Sequence, residues 1–146
     1  MNDKFLVYWS FILLQLILAF FAYQFGIFSM IYTSDVTWLS FVILGIHVAT
    51  SIIIGYFTFR NKPVDTKPLW FISETQLSIG MIGTLVGFVI LFSTVFSSIQ
   101  TPDDVSSALV SIASGVGTAL WTTLSGLVSS VFLKIKIVNI ERKENG

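Results

Sequence analysis

The sequence has no cysteine and a single histidine, His47, among its 146 residues. Without cysteine, the chain forms no disulfide, no thiolate metal site and no cysteine nucleophile. A single histidine also excludes a metal site built from several histidines of one chain. We therefore expect neither a metal nor a cofactor.

Charged residues are scarce as well, at 11% of the chain, and eight basic residues balance eight acidic ones. A net charge of zero argues against nucleic acid as a partner. Hydrophobic residues make up 54% of the chain, more than is expected of a water-soluble domain. The composition predicts a polytopic membrane protein whose main surroundings are lipid.

Four apolar runs are each long enough to cross a hydrocarbon layer of about 30 Å, which takes roughly 20 helical residues. Backbone in lipid must satisfy its own hydrogen bonds, and the alternating pattern of barrel strands is absent, so all four are predicted to be α-helices. The expected fold class is all-α, with four transmembrane helices. The runs cover residues 5–31, 36–59, 77–98 and 105–133.

Basic residues lie in only three places, at Lys4, in the segment 60–67, and from Lys134 onward. The charged residues of the other two connections are all aspartates. By the positive-inside rule, both termini and the middle connection are expected to be cytoplasmic. The apolar run after Lys4 is too long for a signal-peptide core and lacks a small-residue cleavage site, so we interpret it as a membrane span.

The two halves of the chain differ in side-chain character. The first pair of helices is bulky and aromatic, which favours a lipid-facing hairpin, whereas the second pair is rich in Gly, Ser and Thr, which favours protein-lined surroundings. The predicted units are a lipid-facing hairpin over 1–60, a short cytoplasmic loop over 61–76, a pore-lining hairpin over 77–138 and a cytoplasmic tail over 139–146.

Small and hydroxyl residues recur every three or four positions on both helices of the second hairpin, which places them on one face of each. Two interpretations remain open. The residues either pack the helices closely, with hydroxyls bonded to their own backbone, or they form a pore wall. On the third helix they are Gly80, Gly83, Thr84 and Gly87, and on the fourth Ser107, Ser111, Ser114, Gly115, Thr118, Thr122, Ser125, Gly126 and Ser129.

Two motifs in this hairpin resemble those of a known family. The run GMIGTLVG at 80–87 resembles the third-helix motif GMIGTLxG of the MotA/TolQ/ExbB proton channel family, in its flagellar stator form. The run GVGTALWTTLSG at 115–126 is similar to the fourth-helix pattern GxxxALxTTLxG. Both occur in the right order on adjacent antiparallel helices, and the resemblance covers roughly 78–132.

The resemblance implies a homopentamer in the bacterial cytoplasmic (inner) membrane that performs no covalent chemistry. Its third and fourth helices would line a channel around two copies of a single-span partner similar to MotB, TolR or ExbD. That partner brings a membrane Asp that takes up and releases protons. By position in the motifs, Thr84 and Thr123 would lie nearest to this carboxylate, with Thr122 beside them.

The residues themselves agree on one point. Within the two apolar runs of the second hairpin, 77–98 and 105–133, the chain has no Asp, Glu, Lys, Arg or His, and hydroxyl groups do not exchange protons near neutral pH. If protons cross here, another chain must supply the acid. The predicted pore-lining residues are Thr84, Thr122, Thr123, Thr118, Ser111 and Ser125, and the predicted helix-packing residues are Gly80, Gly83, Gly87, Gly115 and Gly126.

The sequence departs from the family pattern in three places. Thr118 stands where the TolQ and ExbB branch has Glu, which favours the stator-like branch. Leu77 replaces the Pro that precedes the motif in flagellar subunits. The large cytoplasmic domain of those subunits is reduced to 60–76, so we do not expect engagement of a flagellar rotor.

Several assignments stay open at the sequence level. His47 is either an ionisable group with a function or a neutral imidazole bonded to a neighbouring helix. Glu74 either complements the start of the third helix or attracts ions to a cytoplasmic mouth. Lys134 and Lys136 belong to a basic tail expected to bind anionic lipid. For the whole chain, the alternative function is a small holin-like pore-forming or structural membrane protein with no proton-coupled partner.

Overall fold

The computed structural model describes residues 3–35, 38–60, 62–98, 101 and 104–144. Three of its helices contain apolar stretches long enough to cross a membrane, and a bent helix pair supplies a fourth if it counts as one span. The predicted all-α, polytopic membrane fold is confirmed. In chain order the helices are α1 (Asp3–Gln24), α2 (Ile27–Ser34), α3 (Leu39–Phe59), α4 (Thr66–Ser98) and α5 (Asp104–Glu144).

The first apolar run is two helices rather than one. α1 ends at Gln24, α2 begins at Ile27, and their axes differ by 66°. Gly26 lies between them with a φ of 68°, in the left-handed region that glycine adopts without a Cβ clash. The run 5–31, predicted as one helix, therefore bends at this glycine.

α4 begins at Thr66 and so includes residues 66–76, which were expected to form a connection. The Asp65 carboxylate accepts the backbone N–H of Lys67 at 3.1 Å, and Pro68 lies in the first turn, where its missing N–H is tolerated. At about 1.5 Å per residue, α4 and α5 are about 50 and 60 Å long, longer than a hydrocarbon layer of about 30 Å. Parts of this hairpin therefore extend beyond the apolar layer.

α4 and α5 form an antiparallel pair, and α3 packs against both. Gly80 lies beside Gly126, whereas Gly87, further along α4, lies beside the earlier residue Ala119. At the other end of the pair, Ile54 of α3 is fully buried in an apolar cluster with Leu69 of α4 and Leu133 and Ile137 of α5. α1 is the outermost helix, since most of its described side chains are exposed.

Candidate functional site

The backbones of α4 and α5 meet at two glycines, Gly80 and Gly126. A Cβ built on Gly126 would lie 2.7 Å from the carbonyl oxygen of Gln76 and 3.0 Å from the Cα of Gly80. A Cβ built on Gly80 would lie 2.9 Å from the carbonyl oxygen of Thr122. Because backbone atoms block both positions, no side chain fits at either glycine unless the helices separate.

The other three predicted packing glycines also lie along this contact. A Cβ on Gly83 would lie 3.1 Å from the Thr122 Cβ, and one on Gly87 would lie 3.0 Å from the Ala119 Cβ. At Gly115 a Cβ would overlap the side chain of Leu91. The glycine positions thus hold the two helices at the shortest separation that their backbones allow.

Three threonines cluster beside the crossing. The Thr84 hydroxyl of α4 lies 3.3 Å from the Thr122 hydroxyl of α5 and within hydrogen-bonding reach of the Thr123 hydroxyl. Thr122 is 2% exposed, whereas Thr84 and Thr123 are half-buried. The structure therefore brings together three of the six predicted pore hydroxyls, and two of them reach the surface of the chain. We call Thr84, Thr122 and Thr123 the threonine cluster.

Two backbone carbonyls complete the site. Thr84 and Thr122 donate to the Ala119 carbonyl at 2.9 and 2.8 Å, while the Gly80 carbonyl lies 3.2 Å from the Thr84 hydroxyl and 3.3 Å from the Thr123 hydroxyl. Each hydroxyl has one proton to donate and two lone pairs, so the cluster has more acceptor positions than donors. A protonated carboxyl group or a water molecule can donate to it.

The other predicted pore residues lie elsewhere. Ser125 is buried on α5, and Ser111 is exposed and donates to the Ser107 carbonyl at 3.0 Å. Twelve residues separate Ser111 from Thr123, about 18 Å along a helix. Thr118 lies outside the residues whose side chains the structure describes. We therefore build the site on the threonine cluster alone.

The sequence did not identify Gln76 as a residue of the site. It lies one helical turn before Gly80, is 0% exposed, and neither its amide oxygen nor its amide nitrogen forms a hydrogen bond. The signal that could have revealed it is spacing, because Ser73 and Gln76 continue the face of Gly80 and Gly83 towards the start of α4. A buried amide without partners is destabilising unless the assembled protein supplies them.

The structure also places Lys136 differently from the sequence prediction. It is 3% exposed, and its ammonium donates to the Gln15 amide oxygen at 2.9 Å and to the Ser51 hydroxyl at 2.7 Å. The basic tail was expected to bind lipid headgroups, but the Lys136 ammonium lies inside the protein and does not do so. Gln15 also bonds to His47, whose ring nitrogen Nε2 lies 3.1 Å from the amide nitrogen. His47 is thus bonded to a neighbouring helix, as one of its two interpretations had it.

The capping interpretation of Glu74 is wrong. Since α4 begins at Thr66, Glu74 lies in its third turn, away from the helix terminus, and is exposed. Near the start of α4, the indole N–H of Trp70 donates to the Glu141 carboxylate of α5 at 2.9 Å, and the Lys134 ammonium lies 5.9 Å from the Trp70 ring centre. This contact joins the ends of the two helices.

The fold and site define a class, a multi-pass helical membrane protein with a polar acceptor site on two closely packed helices. The model of the MotA/TolQ/ExbB proton channel family matches residues 65–144, which is 80 of the 146 residues, and the chain belongs to this family. The match begins just before α4 and ends with α5. No curated protein and no solved structure matches the chain.

Family membership has three direct consequences. The proteins of this family are channels and not enzymes. They are typical of the bacterial inner membrane. Membership also implies a partner of the MotB, TolR or ExbD type and suggests a proton-channel role of the stator kind.

Proposed function

We propose that this chain is the channel-forming subunit of an assembly that converts ion-motive force into mechanical work across the cell envelope. Five copies surround the membrane helices of two partner chains, each carrying a membrane Asp. The threonine cluster faces that Asp and accepts a hydrogen bond from its protonated form. The energy available is about 2.3 kcal/mol per charge for each 100 mV of membrane potential.

The observation that carries this proposal is the surplus of hydrogen-bond acceptors in the threonine cluster. Thr84 and Thr123 are half-buried, so the cluster reaches the protomer surface, while the Gly80 and Ala119 carbonyls behind it stay fixed in their helices. No Asp, Glu, Lys, Arg or His occurs within the apolar runs 77–98 and 105–133, so the site can receive a proton carrier but cannot itself carry the proton. In the proposed assembly, a carboxyl group of the partner chain carries the proton.

The principal test removes single hydroxyls without changing side-chain shape. In the chain co-expressed with its partner, Thr84→Val and Thr123→Val are each expected to lower partner-dependent proton flux at least tenfold while assembly remains intact. Thr94→Val is the matched control, because Thr94 is an exposed threonine of α4 whose hydroxyl bonds only the Ile90 carbonyl of its own helix. Flux that is the same in all three variants would remove the threonine cluster from the mechanism.

Stoichiometry separates this proposal from a holin-like pore. Native mass spectrometry of the complex extracted from its own membrane is expected to give five copies of the chain with two single-span partners. Proton flux is expected only when both proteins are present. A pore that conducts with the chain alone would support the holin-like function instead.

The proposed orientation places both termini and the middle connection in the cytoplasm. Because the chain has no cysteine, single cysteines can be introduced without a background signal. A membrane-impermeant maleimide added outside intact spheroplasts is expected to label Thr101→Cys, which is exposed between α4 and α5, but not Lys62→Cys. The opposite pattern would invert the topology.

A further inference from the structure

The interior of the protomer contains a second polar cluster, away from the threonine cluster. It consists of Gln15 on α1, His47 and Ser51 on α3, and Lys136 on α5. Ser51 lies eight residues, about 12 Å, before the end of α3, so the cluster lies within the apolar layer if α3 spans it. Because these groups belong to three helices, the cluster connects the first half of the chain to α5.

The hydrogen bonds of this cluster have a defined order of donors and acceptors, from Lys136 through Gln15 to His47. An ammonium group only donates, so the Gln15 oxygen accepts from Lys136 and the Gln15 amide nitrogen faces His47. That nitrogen also only donates, so a neutral His47 accepts at Nε2 and carries its ring proton on Nδ1, which is buried and has no hydrogen-bond partner among the described residues. The Ser51 hydroxyl donates to the His47 carbonyl at 2.8 Å, which leaves a lone pair for Lys136.

No carboxylate balances the buried ammonium within the described part of the chain. Its hydrogen-bond partners are an amide oxygen and a hydroxyl, both neutral. The charged group that acts on His47 is Lys136, and the other group near its ring is the backbone of Ser129. On α4, Glu74 is exposed, and on α5 Glu141 bonds the Trp70 indole. Holding an unpaired charge at this depth is costly, which marks the cluster as a functional candidate.

We propose that Gln15, His47 and Lys136 form a site for one exchangeable proton in the protomer interior, distinct from the threonine cluster. In one state, with the hydrogen bonds as described above, Lys136 is charged and His47 is neutral. The alternative state arises when Lys136 releases a proton, His47 Nε2 binds one, and the Gln15 amide turns over. The amide oxygen then accepts from the imidazolium and the amide nitrogen donates to the free amine. Both states carry one positive charge and keep every hydrogen bond.

The Gln15 amide excludes the doubly protonated state. With His47 and Lys136 both charged, two donors would face one amide that can offer its oxygen to only one of them. The other would meet an N–H group, and two positive charges would share a site without a counter-ion. The site therefore binds one proton and not two.

The single histidine makes this proposal directly measurable. With ¹⁵N-histidine in the full chain, reconstituted in lipid nanodiscs, imidazole spectra report one residue. The wild-type ring is expected to carry its proton on Nδ1, with Nε2 unprotonated, and to bind no second proton between about pH 8 and pH 5, the range in which a free histidine titrates. A proton on Nε2 in the neutral wild-type ring would overturn the proposal without any variant.

Two substitutions test the link to Lys136. Lys136→Met removes the charge and frees the Gln15 amide oxygen for the ring, so His47 is expected to bind its second proton at a higher pH than in the wild type. Gln15→Leu leaves Lys136 bonded to Ser51 but releases His47 Nε2, so a mixture of the two neutral tautomers is expected. Lys134→Met is the matched control, since Lys134 lies over the Trp70 ring and outside the cluster, and its spectra should match the wild type.

Identical titration of His47 in the wild type and in Lys136→Met would contradict the proposal, as would an unchanged tautomer in Gln15→Leu. Proton flux through the threonine cluster is not part of this measurement. The one-proton site and the proposed channel function can therefore fail independently.

Discussion

The contact between α4 and α5 differs in kind from the contacts that α1 and α3 make with α5. Between α4 and α5 the backbones touch at Gly80 and Gly126, and the polar groups are short hydroxyls bonded to nearby carbonyls. Between α1, α3 and α5 the polar contacts use long side chains, through Gln15 and Lys136. Close packing therefore needs small residues at fixed positions, whereas the longer reach tolerates more variation.

This difference explains which part of the chain carries the family signature. The family match covers 65–144 and leaves out α1 to α3. Where two backbones meet, few residues fit, and the sequence is constrained position by position. Where bulky side chains face outward, many combinations satisfy lipid, so the first helices carry little recognisable pattern. Substitutions in either region test whether close backbone packing sets this difference.

The largest effect is expected from filling the backbone crossing. Gly126→Val places side-chain carbons where the Gln76 carbonyl and Gly80 lie, so we expect a loss of about 3 kcal/mol, the upper end for overpacking, because backbone has to move. Unfolding in mixed micelles, followed by circular dichroism, measures it. Gly45→Val is the control, since a Cβ built on this α3 glycine meets no atom within 4 Å. Equal losses at both glycines would show that the crossing is not special.

A smaller effect of opposite sign is expected at Gln76. Its amide is fully buried without a hydrogen bond, so Gln76→Leu is expected to raise the stability of the isolated chain by about 1–2 kcal/mol. The same unfolding measurement tests it. Gln24→Leu changes an exposed glutamine at the end of α1 and should have little effect. A stability loss in Gln76→Leu would mean that the buried amide is satisfied in the folded chain.

The sequence predicted the membrane fold from local regularities, and the family resemblance singled out the three threonines. Apolar runs reveal spans, and a spacing of three and four residues puts Thr84 on the face of Gly80 and Thr122 on the stripe of the facing helix. Thr123 was indicated only by the family motif. The same spacing grouped Ser111 with Thr122, because both belong to one long stripe. Pattern alone does not show where the partner helix crosses, and Ser111 lies about 18 Å from Thr123 along α5.

Lys136 could not be placed from sequence for a different reason. Other basic residues lie near it in the chain, with Lys134 before it and Arg142 and Lys143 after it, which is typical of a membrane-proximal tail. Its partners Gln15 and Ser51 lie 121 and 85 residues away. Only the packing of α1 and α3 on α5 turns it inward. The bend at Gly26 is similar, since a glycine within an apolar run is compatible with a continuous helix until its φ is known.

The smallest effect is expected at the far end of the close pair, where α4 and α5 are joined by side chains instead of touching backbones. Trp70→Phe keeps most of the ring but removes the indole N–H that Glu141 accepts, so a loss of about 1 kcal/mol or less is expected from this half-buried contact. Glu141→Gln retains an acceptor and should cost less still, which separates the hydrogen bond from its charge. If Trp70→Phe cost as much as Gly126→Val, side-chain contacts and not the glycine crossing would hold the pair together, and the contrast between the two regions would fail.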